Sequence, residues 1–156
     1  MKSNSLKKPV NSLPFSWYFE NKFFQKEIDK IFNTEWIYVC HFNSINNNNY
    51  RTLSINNKNI VVIKNKSQDI SVFYNTCSHR GSQIFDQTEG KIKAPVIICP
   101  YHQWSYNIND GSLINTTSIN LDKFDKTKYG LKKVNFHIWK GLIFINIKSK
   151  KKFNHQ

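Results

Sequence analysis

Residues 75–81, NTCSHRG, and residues 99–104, CPYHQW, each contain one cysteine and one histidine. The first pair is spaced Cys-x-His and the second Cys-x-x-His, and 19 residues lie between the two pairs. Two thiolates and two imidazoles on tight loops form a donor set that suits either zinc or an iron–sulfur centre. We therefore expect a metal centre held by two loops. The candidate ligands are Cys77, His79, Cys99 and His102.

The order of the ligands distinguishes the two metals. A structural zinc site with two cysteines and two histidines usually pairs like ligands, as Cys-x(2–4)-Cys followed by His-x(3–5)-His. A Rieske-type 2Fe-2S centre needs two thiolates on one iron and two imidazoles on the other, which two loops supply when each contributes one of each. Because each loop here mixes the two residue types, the spacing favours the iron–sulfur centre.

Outside the two loops, the sequence predicts one helix followed by strands. Residues 20–33 place Phe24, Ile28, Ile31 and Phe32 at helical spacing, with charged residues on the opposite face. After them, β-branched and aromatic runs alternate with Asn-rich turns, a pattern typical of antiparallel hairpins. The fold class is therefore mainly β, with antiparallel sheets. The predicted strands are WIYVCHF (36–42), YRTLSI (50–55), NIVVIK (59–64), ISVFY (70–74), APVIIC (94–99), WSYNI (104–108), LKKVNFHIW (131–139) and GLIFINI (141–147).

Three local features of the sequence predict a turn, an irregular segment and a buried thiol. Asp110-Gly111 is a hairpin signal that follows the second loop. Residues 117–130 are polar and predict an irregular connection. Cys40 stands alone in an apolar run, and we interpret it as a buried thiol that acts as a small hydrophobic residue.

Composition and charge exclude several classes of protein. At 156 residues the chain is long enough for one domain with a core. Its net charge of +13 comes almost entirely from lysine; only Arg51 and Arg80 are arginine, whereas specific nucleic-acid recognition favours the guanidinium group. No run approaches the roughly 18 uncharged residues of a membrane helix, and no apolar segment follows the basic N-terminus as in a signal peptide. We expect a cytoplasmic protein that binds neither membrane nor nucleic acid.

The two loops and their surroundings resemble a known family. Residues 75–81 and 99–106, followed by Asp110-Gly111-Ser112-Leu113, are similar to the cluster-binding region of Rieske non-haem iron oxygenase α subunits of the aromatic-ring-hydroxylating type. The resemblance extends to three further segments, which are residues 30–32, 35–39 and 139–146.

The resemblance implies a domain organisation. It covers residues 15–147, which we expect to form a Rieske 2Fe-2S domain: antiparallel sheets with a cluster-binding subdomain, preceded by one N-terminal helix. Residues 1–14 are expected to be a basic flexible leader and residues 148–156 a Lys-rich tail.

The resemblance also implies roles for the candidate ligands. Cys77 and Cys99 would hold the inner iron of a Rieske-type 2Fe-2S cluster, and His79 and His102 the outer, solvent-facing iron. Electrons would leave through the histidines. Gly81 would form the tight turn after the first pair, in a backbone conformation that other residues avoid.

Several positions depart from related proteins. Respiratory Rieske proteins carry disulfide-forming cysteines where this chain has Ser82 and Tyr101, and a sulfide-binding serine where it has Trp104. Many ring-hydroxylating oxygenases have glycine in place of Gln103. These departures argue against the respiratory subtype. For Trp104 and Tyr101, a place in the hydrophobic core explains the residue at least as well as a role in tuning the cluster.

The resemblance implies electron transfer, as the Rieske part of a non-haem iron oxygenase system. Its partners would be a reductase or ferredoxin and an oxygenase catalytic domain or subunit. The catalytic domain of such an oxygenase needs two histidines and a carboxylate on a mononuclear iron, and the remaining His41, His137 and His155 give no such site. No catalytic residue is therefore assigned, and we expect an oxidoreductase component without a complete oxygenase active site. Two alternatives stay open: a free-standing Rieske ferredoxin and a zinc-stabilised basic module.

Overall fold

The structure, a computed structural model, describes residues 12–117, 124–148 and 152–154, and in these residues ten antiparallel strands form three sheets. Most of the expected leader and more than half of the expected tail lie outside the described residues. The strands are β1 (Ile37–His41), β2 (Asn49–Ile55), β3 (Lys58–Lys64), β4 (Ile70–Tyr74), β5 (Glu89–Lys91), β6 (Val96–Ile98), β7 (Ser105–Asn107), β8 (Leu113–Asn115), β9 (Asn135–Trp139) and β10 (Leu142–Asn146).

The sheets have the strand orders β1-β10-β9, β4-β3-β2-β5 and β6-β7-β8. Every pairing of these strands is antiparallel. The predicted mainly β, antiparallel fold is thus confirmed.

Two of the hairpins have turns that the sequence explains directly. The β2–β3 turn contains Asn56 and Asn57, with φ of 48° and 57°, and the β9–β10 turn contains Lys140 and Gly141, with φ of 48° and 82°. Two-residue turns that match the twist of antiparallel strands need positive φ at both central positions, which asparagine and glycine tolerate best. The predicted strand pair around Gly141 is confirmed.

Strand β3 lies between two hydrophobic cores. Val61 and Ile63 face one core and Ile60 and Val62 face the other, so that alternate side chains of one strand are buried on both faces. The loop-side core consists of Tyr50, Val61, Ile63, Phe73, Cys77, Ile84, Ile92, Ile97, Cys99, Trp104, Tyr106, Ile108, Leu113 and Leu131. The base core consists of Cys40, Ile45, Ile60, Val62, Val72, Val134, Ile143, Ile145 and Ile147.

The predicted N-terminal helix is present but less buried than its pattern suggests. Helix α1 (Asn21–Glu27) continues as a π-helical turn over Ile28–Phe32, which closes with the Asn33 N–H donating to the Ile28 carbonyl at 2.9 Å. Ile28 is buried, whereas Phe24 and Ile31 remain 52% and 47% exposed. Most of the apolar face is therefore not covered by described residues. None of the described helices has the length and apolar character needed to cross a membrane.

Two strands are not among those predicted from the sequence, β5 (Glu-Gly-Lys) and β8 (Leu-Ile-Asn). Strand β5 contains Gly90, which pairs with Tyr50 and leaves space for its ring, since a Cβ at Gly90 would lie 2.7 Å from the Tyr50 hydroxyl oxygen. Strand β8 completes the predicted hairpin at Asp110-Gly111. Within the segment predicted to be irregular, Lys126–Tyr129 forms a 3-10 turn.

Candidate metal centre

The two Cys/His segments form loops with the same backbone hydrogen bonds. In the first loop the Cys77 N–H donates to the Ser82 carbonyl at 2.8 Å, and the Gly81 N–H donates to the Cys77 carbonyl at 3.0 Å. In the second loop the equivalent bonds join Cys99 to Trp104 at 2.9 Å and Gln103 to Cys99 at 3.0 Å. The chain therefore builds two matching loops, between β4 and β5 and between β6 and β7.

The fourth residue after each cysteine has a left-handed backbone. Gly81 has φ of 73° and Gln103 has φ of 58°. The tight turn predicted at Gly81 is confirmed, and the matching position in the second loop is strained because it carries a side chain.

The two cysteines lie at the centre of the site. Their residues are 3% (Cys77) and 1% (Cys99) exposed, and both belong to the loop-side core. The Tyr106 hydroxyl lies 3.0 Å from the Cys77 sulfur and accepts a hydrogen bond from the Ser78 N–H at 3.2 Å. Because that oxygen already accepts a bond, its proton is free to point at sulfur. Burial raises the pKa of Tyr106, so the hydroxyl keeps this proton.

The surroundings of the two sulfurs differ electrostatically. Burial raises the pKa of the Cys77 thiol. Burial would also raise the pKa of Cys99, but hydrogen bonds from the backbone N–H of Tyr101, the Ser82 hydroxyl and the backbone N–H of His102 lower it overall. The surroundings of Cys99 therefore favour a thiolate, the form of cysteine that binds metals.

The two histidines form the outer side of the site. The ring centroids of His79 and His102 are 4.7 Å apart. Both Nδ1 atoms are buried and have no hydrogen-bond partner; among the described residues, Trp36 Nε1 is the only other such side-chain atom. Burial, with His102 and Arg80 nearby, lowers the pKa of His79, so this imidazole stays neutral as a metal ligand must.

An aromatic group supports this outer side. The Trp104 ring stacks on the His79 ring at 4.5 Å with an interplanar angle of 8°, and Phe124 and Tyr129 contact Trp104 edge-on at 5.8 and 5.9 Å. The core interpretation of Trp104 is therefore correct, and its contact with a candidate ligand adds a positioning role. For Tyr101 the core interpretation is wrong, because this residue is 65% exposed beside His102.

The other residues weighed from the sequence lie away from the site. Cys40 is a buried free thiol in the base core, as predicted. The His41 Nδ1 atom accepts a hydrogen bond from the Asn43 N–H, and His137 stacks on Phe153 at 4.3 Å. His155 lies outside the described residues. Within the described ranges, no group of three His, Cys, Asp or Glu side chains is placed to hold a single metal ion.

Two hydroxyls contact the sulfurs; from the sequence Tyr106 is a possible donor, whereas Ser82 is not predicted as one. Tyr106 reaches Cys77 across 29 positions of sequence, and Ser82 lies 3.7 Å from the Cys99 sulfur across 17 positions. Sequence patterns place Tyr106 in a strand next to the second loop, but only its contacts with Cys77 and Ser78 of the first loop show which cysteine it approaches.

Comparison with known proteins places these loops in a family. Residues 35–125 match the family described as Rieske [2Fe-2S] domain. The chain is 35% identical over 138 residues to the carnitine monooxygenase oxygenase subunit of Escherichia coli (strain K12), covering 87% of this chain and 36% of that protein. It is 32% identical over 134 residues to the 2-aminobenzenesulfonate 2,3-dioxygenase subunit alpha of Alcaligenes sp, covering 83% and 34%.

A solved structure shows the same likeness. The crystal structure of a quaternary ammonium Rieske monooxygenase in complex with L-carnitine superposes with a TM-score of 0.79 at 32% identity, covering 88% of this chain and 39% of that one. The chain thus spans about a third of the length of the curated relatives it matches. Because the family match covers more than half of the sequence and includes both loops, the chain belongs to the Rieske [2Fe-2S] domain family and is homologous to the Rieske part of oxygenase α subunits.

Proposed function

We propose that Cys77, His79, Cys99 and His102 hold the Rieske-type 2Fe-2S cluster that the family implies. The observation that carries the proposal is the placement of the side chains: two thiols buried in the same core, and two histidines side by side with unpartnered Nδ1 atoms. A buried nitrogen without a hydrogen-bond partner is costly unless something absent from the protein itself binds it. The donor set matches a cluster with two thiolates on one iron and two imidazoles on the other.

The residues of the chain perform distinct tasks at this site. A bound cluster of this type accepts and releases one electron. The cysteines and the Trp104 ring exclude water from the inner side, while half-buried His79 and His102 form the outer side nearest to solvent. Electrons therefore enter and leave through the imidazoles, where a redox partner can approach most closely.

We further propose that the chain transfers electrons as the Rieske part of an oxygenase system, with residues 15–147 as its domain. Support comes from the homology with oxygenase subunits and from an exposed apolar surface, since large exposed apolar patches mark contact sites. The residues of this surface are Leu13, Phe15, Trp17, Tyr18, Phe19 and Phe24.

The proposed partners are a reductase or ferredoxin that supplies electrons and an oxygenase catalytic domain or subunit that receives them. The proposed location is the cytoplasm.

Metal analysis of the protein tests the cluster. Protein purified without oxygen from its native host should contain iron and acid-labile sulfide in equal amounts, as one such cluster per chain requires. Stoichiometric zinc without labile sulfide would show that the alternative zinc module is correct.

A further inference from the structure

The two loops support each other crosswise. The fifth residue after each cysteine lies against a candidate ligand of the other loop: Trp104 of the second loop stacks on His79, and Ser82 of the first loop lies with its hydroxyl 3.7 Å from the Cys99 sulfur. Each buried sulfur thus has one side-chain hydroxyl beside it: Tyr106 beside Cys77, and Ser82 beside Cys99.

The Ser82 hydroxyl has two acceptors for its single proton. Its oxygen lies 3.3 Å from the Gln83 carbonyl oxygen and 3.7 Å from the Cys99 sulfur. A metal-bound thiolate accepts hydrogen bonds but donates none, and a bond to a charged acceptor is roughly twice as strong as a bond to a neutral one. Once Cys99 is a thiolate, the proton therefore points at its sulfur.

We infer that Ser82 donates a hydrogen bond to the Cys99 sulfur and thereby raises the reduction potential of the cluster. The inference rests on the proposed cluster ligands. Reduction adds negative charge to the iron–sulfur unit, so a donor on a ligand sulfur stabilises the reduced form more than the oxidised form. Ser82 acts on the reduction potential through its hydrogen bond to the ligand Cys99 and is therefore a positioning residue.

The test compares midpoint potentials of the full-length, cluster-loaded protein and three variants by voltammetry. Ser82→Ala should keep the iron and sulfide content and the absorption spectrum of the parent. Its equilibrium constant for reduction should be about threefold smaller, which lowers the midpoint potential by about 30 mV because a tenfold change corresponds to 59 mV for one electron. Ser82→Thr keeps the hydroxyl and should restore the parent potential.

Ser78→Ala is the matched control. This change removes a serine hydroxyl from the same loop, but that hydroxyl donates to the Gly130 carbonyl at 2.6 Å and not to sulfur. Its potential should equal that of the parent protein.

Each other outcome overturns the inference. An unchanged potential in Ser82→Ala shows that the hydroxyl does not act on Cys99, and an equal shift in Ser78→Ala assigns the effect to loop packing. Loss of the cluster from Ser82→Ala alone makes Ser82 an assembly residue. A parent protein without labile sulfide refutes the proposed cluster itself, which distinguishes that failure from the others.

Discussion

At the scale of single residues, the identity of the candidate ligands could be predicted and their environment could not. Cys77 and His79 are two positions apart, so spacing alone brings them onto one loop. The contact of Tyr106 with Cys77 depends on how the first loop packs against β7, 29 positions later in the sequence, which local patterns do not encode. Local sequence therefore indicates the donor set, while the hydrogen bonds that tune it appear only in the folded chain.

Exchange of a ligand type is expected to alter the centre, whereas a change at the third cysteine is not. His79→Cys or His102→Cys should give a cluster with an altered absorption spectrum or none, because the substitution changes the charge and the donor atom at the iron. Cys40→Ser is the control, since Cys40 lies in the base core away from both loops. Loss of the cluster from a folded Cys40→Ser protein would contradict the ligand assignment.

At the scale of elements, runs rich in β-branched and aromatic residues could be predicted as strands, whereas a strand without such residues could not. The run NIVVIK forms most of β3, whose β-branched residues fill both cores. Strand β5 has the sequence Glu-Gly-Lys, which carries no strand propensity and is extended only because it pairs with β2. The helix lies where the pattern predicts it, but periodicity does not show what covers an apolar face, and Phe24 stays half exposed.

Two glycines with nearly equal backbone angles should respond differently to alanine. Gly81 has φ of 73° and open space within 4 Å of the point where a Cβ would lie, whereas a Cβ at Gly111, with φ of 74°, would lie 2.7 Å from Phe73 Cε1 and 3.1 Å from Leu131 Cβ. Gly81→Ala should cost about 1–2 kcal/mol from backbone strain. Gly111→Ala should cost a further ~1–3 kcal/mol from overpacking.

Urea unfolding of both variants, in the same cluster state as the parent, measures this difference. Equal losses of unfolding free energy would show that Phe73 moves aside and that only the backbone angle matters. A larger loss for Gly81→Ala would contradict the packing described around Gly111.

At the scale of the whole molecule, the fold brings few side-chain hydrogen-bond donors to the two candidate sulfur ligands. The two side-chain hydroxyls described at the sulfurs are those of Tyr106 and Ser82, and the Ser82 contact is long at 3.7 Å. Trp104 stacks on a histidine in the place where respiratory Rieske proteins have a hydroxyl donor. Because few donors stabilise the added negative charge of the reduced cluster, the site favours the oxidised form.

The midpoint potential is therefore expected in the lower half of the Rieske range, below about 0 mV in a range of about −150 to +300 mV. The potential should also change little with pH near neutrality. A potential follows pH only where proton binding differs between the two redox states. The outer histidines keep their ring N–H protons in both states unless the cluster is strongly oxidising. Voltammetry of the loaded protein between about pH 6 and 8 measures both. A midpoint potential near the upper end of the Rieske range would contradict the assignment to the oxygenase group.

The position of β3 between two cores has a consequence for the chain without its cofactor. Both candidate sulfur ligands belong to the loop-side core, and none of the four ligands belongs to the base core. Removal of the cluster would leave the first core with unpaired ligands and loosen it, while β1 and β10 keep their hydrogen bonds around the second. Local opening of this kind releases one cooperative unit at a time. In the apoprotein, the base core would then stay folded while the loop-side core opens. The backbone amides of β10 would remain protected from hydrogen exchange, whereas those of the ligand loops would exchange freely.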